Sequence, residues 1–238
     1  MEKGTLYVIP SLIGATPASR VLPDYNRTVI QHIRHYIVEN EKSARHFLKA
    51  AGTEIPLQEI ALYLLDEHTI AQKNDLSPLL LPLMQGNDVG VISEAGCPAI
   101  ADPGAEVVRL AHKKNIKVVP LVGPSSLLLA LMASGFNGQN FSFHGYLPIE
   151  KPDRIRRIKE LENESYQYSK SQIFIETPYR NMKMLDDLLA TCRNDTRLCI
   201  ARNITDDDEM IRSFSISEWR KNRPDLHKRP TVFILFRA

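Results

Sequence analysis

The chain has 238 residues, 43% hydrophobic and 24% charged, with a formal net charge of +2. This is the composition of a soluble globular protein, enough for one large domain or two small ones. Cys97, Cys192 and Cys199 form no CxxC pair and no cluster with histidine, which argues against a disulfide framework and a zinc site and fits a reducing cytoplasm. The mild positive charge permits a polyanionic partner without requiring one, because binding depends on where the charge sits.

The opening residues, MEKGTLYVIP, run straight into a strand with no apolar core long enough for a secretory signal. Residues 5–9, 36–38, 61–65, 89–92 and 118–121 read as short buried strands. Segments of helical period, such as 26–35 and 42–51, lie between them. Alternation of this kind predicts a mostly parallel sheet with helices on both faces. Pro78 and Pro82 shorten or kink the helix expected over 75–85.

The block GVISEAGCPAIADPG, residues 90–104, breaks from an apolar strand into glycines and prolines before a helix that Asp102 and Pro103 are placed to start. It holds neither GxGxxG nor GxxxxGK[ST], so the usual dinucleotide and triphosphate cradles are missing. Residues 118–136 carry no charge and approach membrane-spanning length, but Pro120, Gly123 and Pro124 divide them into strand, turn and buried helix. No membrane association is expected.

Beyond Gly123 the strands fall at 141–144, 172–175, 197–201, 210–214 and 231–236. The link from Ala201 to Met210 is too short for a crossover helix, so some of these strands must run antiparallel. The reading is therefore two domains, 1–122 and 123–238, the second with a mixed sheet. Gly123–Pro124–Ser125–Ser126 and Glu176–Thr177–Pro178 repeat the pattern of strand end, small or capping residue and helix start.

The segments GTLYVIP, SEAGCPAIADPG, VVPLVGPSS, GYLP, ETPYR and IARNIT stand in the order and spacing of the tetrapyrrole methylase superfamily. Within it, the chain most resembles the bacterial small-subunit ribosomal RNA 2′-O-methyltransferase I family, over nearly its whole length. The resemblance implies a two-domain α/β methyltransferase, usually a homodimer, with S-adenosylmethionine in the cleft between domains. Carried over by motif, the cofactor contacts are Pro10, Ser11, Gly96, Cys97, Pro98, Ile100, Ala101, Ser125, Ser126, Glu176, Thr177, Ala201, Arg202 and Thr231. A sulfonium zwitterion without phosphate needs close backbone approach rather than a lysine-rich cradle.

Methyl transfer to a hydroxyl is an in-line displacement in which the acceptor also loses a proton. Glu39, Asp66, Glu67 and His68 stand near strand ends of the first domain, Glu39 being the candidate catalytic group and Asp66 and His68 candidate substrate contacts. Arg180 in ETPYR, and Lys151 and Arg154 in the basic stretch KPDRIRRIK, are further substrate candidates. A second basic stretch, RKNRPDLHKR, spans 220–229. His144 reads as a hydrogen-bonded histidine near the core.

The substrate side departs from the family. E-D-T-R becomes Glu39–Asn40–Glu41–Lys42, the first loop is longer, and three aspartates at 206–208 would repel a phosphate backbone. The expected partner is ribosomal RNA or the small ribosomal subunit. Two alternatives stand beside it: methylation of a small molecule or protein, and a cofactor-binding module without transfer.

Overall fold

A computed structural model describes residues 2–65 and 75–237 of the chain. The chain divides into two compact units between Ser125 and Ser126.

The first unit is built on five parallel strands, β1 (Leu6–Val8), β2 (His35–Val38), β3 (Ala61–Leu64), β4 (Val89–Ile92) and β5 (Val118–Pro120), in the order β3-β2-β4-β1-β5. Their short, almost unbroken apolar runs follow from burial on both faces, and β4 is buried throughout. On one face Tyr36, Val38 and Ile92 pack with Val29, Ile30, Phe47 and Leu48. Those partners lie on the helices Asp24–Ile30 and Glu41–Ala50. On the other face Leu6, Ile37, Val89 and Val91 pack with Leu80, Leu83, Val107 and Ala111. The last two belong to the helix Gly104–Lys113.

This arrangement creates the crevice. β4 lies between β1 and β2, whose following helices cover one face, while its own following helix covers the other. The loop after β4 must therefore diverge from both neighbours at the carboxyl edge of the sheet, the usual ligand position in such folds.

Two local expectations change. The helix expected over 26–35 ends at Ile30, because residues from His35 onward are drawn into the sheet. Tyr36 is fully buried there, and its hydroxyl donates back to the Ile30 carbonyl at 3.2 Å. The segment over 75–85 is a 3-10 turn, Ser77–Leu80, followed by one helical turn, Leu81–Met84, each with proline in its first positions. The uncharged run 118–136 comprises β5, a loop and the helix Ser126–Ser134. Among the described residues no helix is long and apolar enough to cross a membrane.

The second unit has a mixed sheet in the order β6-β7-β10-β8-β9. β6 (Phe141–Tyr146) is parallel to β7 (Ser171–Ile175), and β10 (Thr231–Phe236) is antiparallel to β7 and β8 (Arg197–Arg202). β8 is also antiparallel to β9 (Met210–Ser215), to which residues 203–209 join it directly. Phe174, Leu198, Ile200 and Phe233 face Ile158, Leu161, Leu185, Leu188 and Trp219. These come from the helices Lys151–Tyr168, Asn181–Thr191 and Ile216–Lys221. On the other face Ser213 Oγ donates to the Ser134 carbonyl at 2.7 Å, tying down the helix Ser126–Ser134.

One glycine is fixed by close approach in the first unit. A Cβ on Gly123, after β5, would lie 2.3 Å from Cβ of Pro10, after β1. Gly123→Ala should therefore lower stability in urea unfolding by about 1–3 kcal/mol through overpacking. Gly138→Ala, with no described residue within 4 Å of the added carbon, should unfold like the parent chain.

Candidate active site

A cavity of about 600 Å³ opens beyond the carboxyl ends of β1, β2 and β4. Ser11, Thr16, Glu39, Ser43, His46 and Glu94 are among its polar lining, and among the described residues no lysine or arginine lines it. The volume is in the range of small-molecule sites.

Its walls are stitched together by the two acids. Glu39, at the end of β2, accepts the backbone N–H of Glu94 through Oε1 at 3.1 Å. Glu94, in the loop after β4, in turn accepts the hydroxyl of Ser43, on the helix that follows β2. Asn40 starts that helix: its Oδ1 accepts the N–H of Lys42 at 2.9 Å and of Ser43 at 3.2 Å. An amide oxygen caps as well as a carboxylate. The change from the family's Asp to Asn40 is therefore neutral for the helix start.

The buried hydroxyls of Ser11 and Thr16 have no hydrogen-bond partner among the described residues. Buried polar atoms are rarely left in this state, so two on one cavity wall point to a polar guest.

The loop after β4 reaches the loop after β1 through Ser11 N–H donating to the Gly96 carbonyl at 2.9 Å. Gly96 has φ +78°, and Ala99 and Ala101 follow at +69° and +63°. Asp102 does not serve as the N-cap expected from sequence. Its Oδ1 accepts the N–H of Ala99 at 2.9 Å and of Gly104 at 2.7 Å, closing the loop on itself, and the helix begins at Gly104. Cys97 directs Sγ to the Pro124 carbonyl at 3.4 Å; burial, and then the Asp102 charge, push its thiol pKa up. Pro98 is buried, whereas Ile100 and Ala101 are exposed.

In the second unit the registers Ile175–Val232 and Arg202–Thr231 bring the ends of β7 and β8 to the start of β10. Glu176, Thr177, Arg202 and Thr231 thus share one edge. Ala201 is fully buried inside β8 between Val232 and Ile211, so the ladder occupies its main chain. Thr177 does not cap a helix as expected. Its carbonyl accepts the Arg180 N–H at 2.9 Å in a turn, and the helix starts at Asn181. Arg202 Nε and Thr205 Oγ1 are buried without partners among the described residues.

Five of the seven non-glycine residues with left-handed φ among the described residues, Ala99, Ala101, Asn203, Thr205 and Lys228, lie in these strand-end loops. Each such conformation costs about 1–3 kcal/mol and persists only where the surroundings enforce it.

The expected substrate cations are otherwise engaged. Arg180 donates Nε and Nη2 to the buried Glu176 carboxylate at 3.0 and 2.6 Å. Arg154 is 7% exposed; Nε and Nη2 bind Asp187 at 2.8 and 2.7 Å while Nη1 binds the carbonyls of Pro148 and Ile149. The Arg154 guanidinium is thus held inside the fold, while Arg180 is partly exposed beside Glu176. Lys151 is exposed beside Asp187 at 3.8 Å.

Asp208 accepts from Asn203 and pairs with Arg229 at 2.6 Å, so the aspartate run is partly neutralised from within. His144 donates Nε2–H to Gln172 at 2.6 Å and accepts Arg157 Nη2 at Nδ1 at 3.3 Å, a satisfied neutral tautomer whose pKa burial pulls down. Asp66, Glu67 and His68 lie outside the described residues. Sequence reasoning missed Thr16, Ser43, His46 and Glu94. Ser43 and His46 could have been found by projecting the helix after Glu39 and removing its buried stripe, Ala44, Phe47 and Leu48.

A parallel α/β unit followed by a mixed-sheet unit is a tetrapyrrole methylase-like architecture. The chain superposes on the crystal structure of the methyltransferase CobJ with a TM-score of 0.62, at 15% identity over 99% of this chain and 95% of that one. It is 31% identical to the ribosomal RNA small subunit methyltransferase I of Pseudomonas aeruginosa, over 92% of this chain and 72% of that protein. With the protein of the same name from Escherichia coli O157:H7 the identity is 29%, over 98% of this chain and 78% of that protein. No family model matches. The chain belongs to the ribosomal RNA small subunit methyltransferase I family.

Removing one side of the buried pair in the second unit gives a clear outcome. Arg154→Ala should cost about 3–5 kcal/mol in chemical unfolding, because Asp187 is left charged and unpaired. An Arg154→Ala chain of unchanged stability would return this arginine to the substrate candidates.

Proposed function

We propose that this chain transfers a methyl group from S-adenosylmethionine to a ribose 2′-hydroxyl of small-subunit ribosomal RNA. The observation that carries the reading is the crevice beyond β4, with two acids, two unpartnered buried hydroxyls and no cation among its described lining residues. The relatives named above supply the acceptor class.

The residues fit such a cofactor. Ser11, Gly96 and the left-handed Ala99 and Ala101 would hold it in the first unit. The absence of a lysine or arginine from the lining suits a ligand without phosphate. When bound, it supplies a methyl group on a sulfonium sulfur, a leaving group that needs no protonation.

The chain's own contribution is to position the acceptor and manage its proton. Glu39 Oε1 is engaged with the loop after β4, and its carboxylate is the acid that would accept the hydroxyl proton. Ser43 and Glu94 hold the opposite wall, and alignment of the acceptor with the methyl group in the cavity would supply much of the acceleration.

Calorimetric titration with S-adenosylmethionine, followed by transfer of labelled methyl to small-subunit RNA, tests this. Glu39→Gln keeps an oxygen for the Glu94 N–H but cannot take a proton, and should lower transfer about 10²-fold with cofactor affinity unchanged. A Gln variant as fast as the parent would make Glu39 a loop clamp. Label entering small molecules or protein instead of RNA would favour another acceptor, and binding without transfer would favour a binding module.

The partner we propose besides RNA is a second copy of the chain. The helix Ser126–Ser134 carries no charge, yet Leu128 and Met132, one turn apart, are 51% and 79% exposed. An apolar helix left open in this way invites a protein partner. Leu128→Lys/Met132→Lys should sediment as a monomer where the parent sediments as a dimer; a monomeric parent would end the proposal. The three free thiols suit a reducing cytoplasm.

A further inference from the structure

The two basic stretches that looked fit for RNA are largely bound to the protein itself. Besides Arg154, Arg156 pairs with Asp153 at 2.7 Å, and Arg157 with Glu160 and Glu164 at 3.0 and 3.2 Å. Arg220 donates to the Leu189 carbonyl, and Arg223 and Arg229 pair with Asp186 and Asp208. The helix Glu41–Ala50 differs. Lys42, His46 and Lys49 recur at four- and three-residue spacing along one exposed face, with Arg45 beside them. Among the described residues neither Lys42 nor Lys49 has an ion-pair partner.

That face is also part of a groove. An open depression of about 510 Å³ is lined by Lys42, Arg45, His46 and Lys49, and it shares Asn40, Ser43, His46 and Glu94 with the cavity beyond β4. The groove therefore runs into the candidate active site. Charge is sorted along it. The lysines stand on the outer helix, separated by about 10 Å at 1.5 Å per residue. Glu39 lies inward, the exposed Glu94 stands where groove and cavity meet, and Glu41 faces Arg45 at 3.8 Å. A strand with anionic phosphates and neutral nucleosides matches this sorting: phosphates are favoured on the rim and repelled from the acidic interior, which accepts a hydroxyl.

We infer that the Lys42–Lys49 face is the track that holds the phosphate backbone of the RNA acceptor and feeds its target nucleotide into the cavity. The inference rests on the proposed RNA methylation and adds to it the surface that selects a polyanionic strand.

Binding of a labelled small-subunit RNA fragment across a salt series tests it, using the full chain, Lys42→Gln/Lys49→Gln, and Lys113→Gln/Lys117→Gln. The last removes the same charge at the opposite, amino end of the sheet. The track variant should bind RNA about tenfold more weakly at 0.15 M salt. The magnitude of its log–log salt slope should fall by about 1.4, or 0.7 per lost phosphate contact on a single strand. KM for RNA should rise, kcat should change little, and affinity for S-adenosylmethionine should stay the same. The amino-end variant should match the parent.

Equal RNA binding by the two double variants would overturn the track while leaving RNA methylation standing. A parent chain that methylates another acceptor and has no affinity for RNA would overturn both. Measuring the parent first tells the two failures apart.

Discussion

The site depends on one topological constraint: β4 is held between two strands whose helices cover the face opposite to its own. Parallel strands need crossovers, and each crossover must choose a face. β1 and β2 choose one and β4 the other, so the chain after β4 cannot pack alongside its neighbours. The gap that results is closed again by polar contacts at chosen points: Ser11 to Gly96, Glu39 to the Glu94 main chain, and Glu94 to Ser43. Each bond joins segments far apart in sequence, which is why small residues and acids gather there while the strands beneath are uniformly apolar.

Much of the framework was legible because it is local. Buried β-type runs mark every described strand to within a residue or two, and the short link after Ala201 requires the antiparallel pairing found between β8 and β9. Errors arose where distant segments decide. The helix over 26–35 has good periodicity, but Tyr36 gains more from the sheet interior, so the strand takes residues from His35 onward. Asp102 and Thr177 both look like caps in sequence, and both instead shape the loops that precede their helices.

The candidate site was legible unevenly, for a related reason. Main-chain contacts leave a signature in glycine, proline and small residues, so the loop after β4 could be read directly. Side-chain roles leave none. Whether an arginine is free for a ligand depends on its neighbours in space, and Arg154 and Arg180 are taken by Asp187 and Glu176. Lys42 stands out in sequence only as a departure from the family's E-D-T-R, and Lys49 not at all, yet both border the groove that leads into the cavity.

The amide at Asn40 has an electrostatic consequence beyond starting its helix. The family's aspartate in that place would set a third carboxylate beside Glu39 and Glu94, and like charges gathered together repel one another. A neutral cap leaves the two remaining acids with one like charge fewer beside them. It also leaves the helix start independent of acidity, since an amide oxygen accepts the Lys42 and Ser43 N–H groups at any pH. The substitution thus separates two duties that a single aspartate would have to combine, anchoring a helix and setting the charge of the entrance.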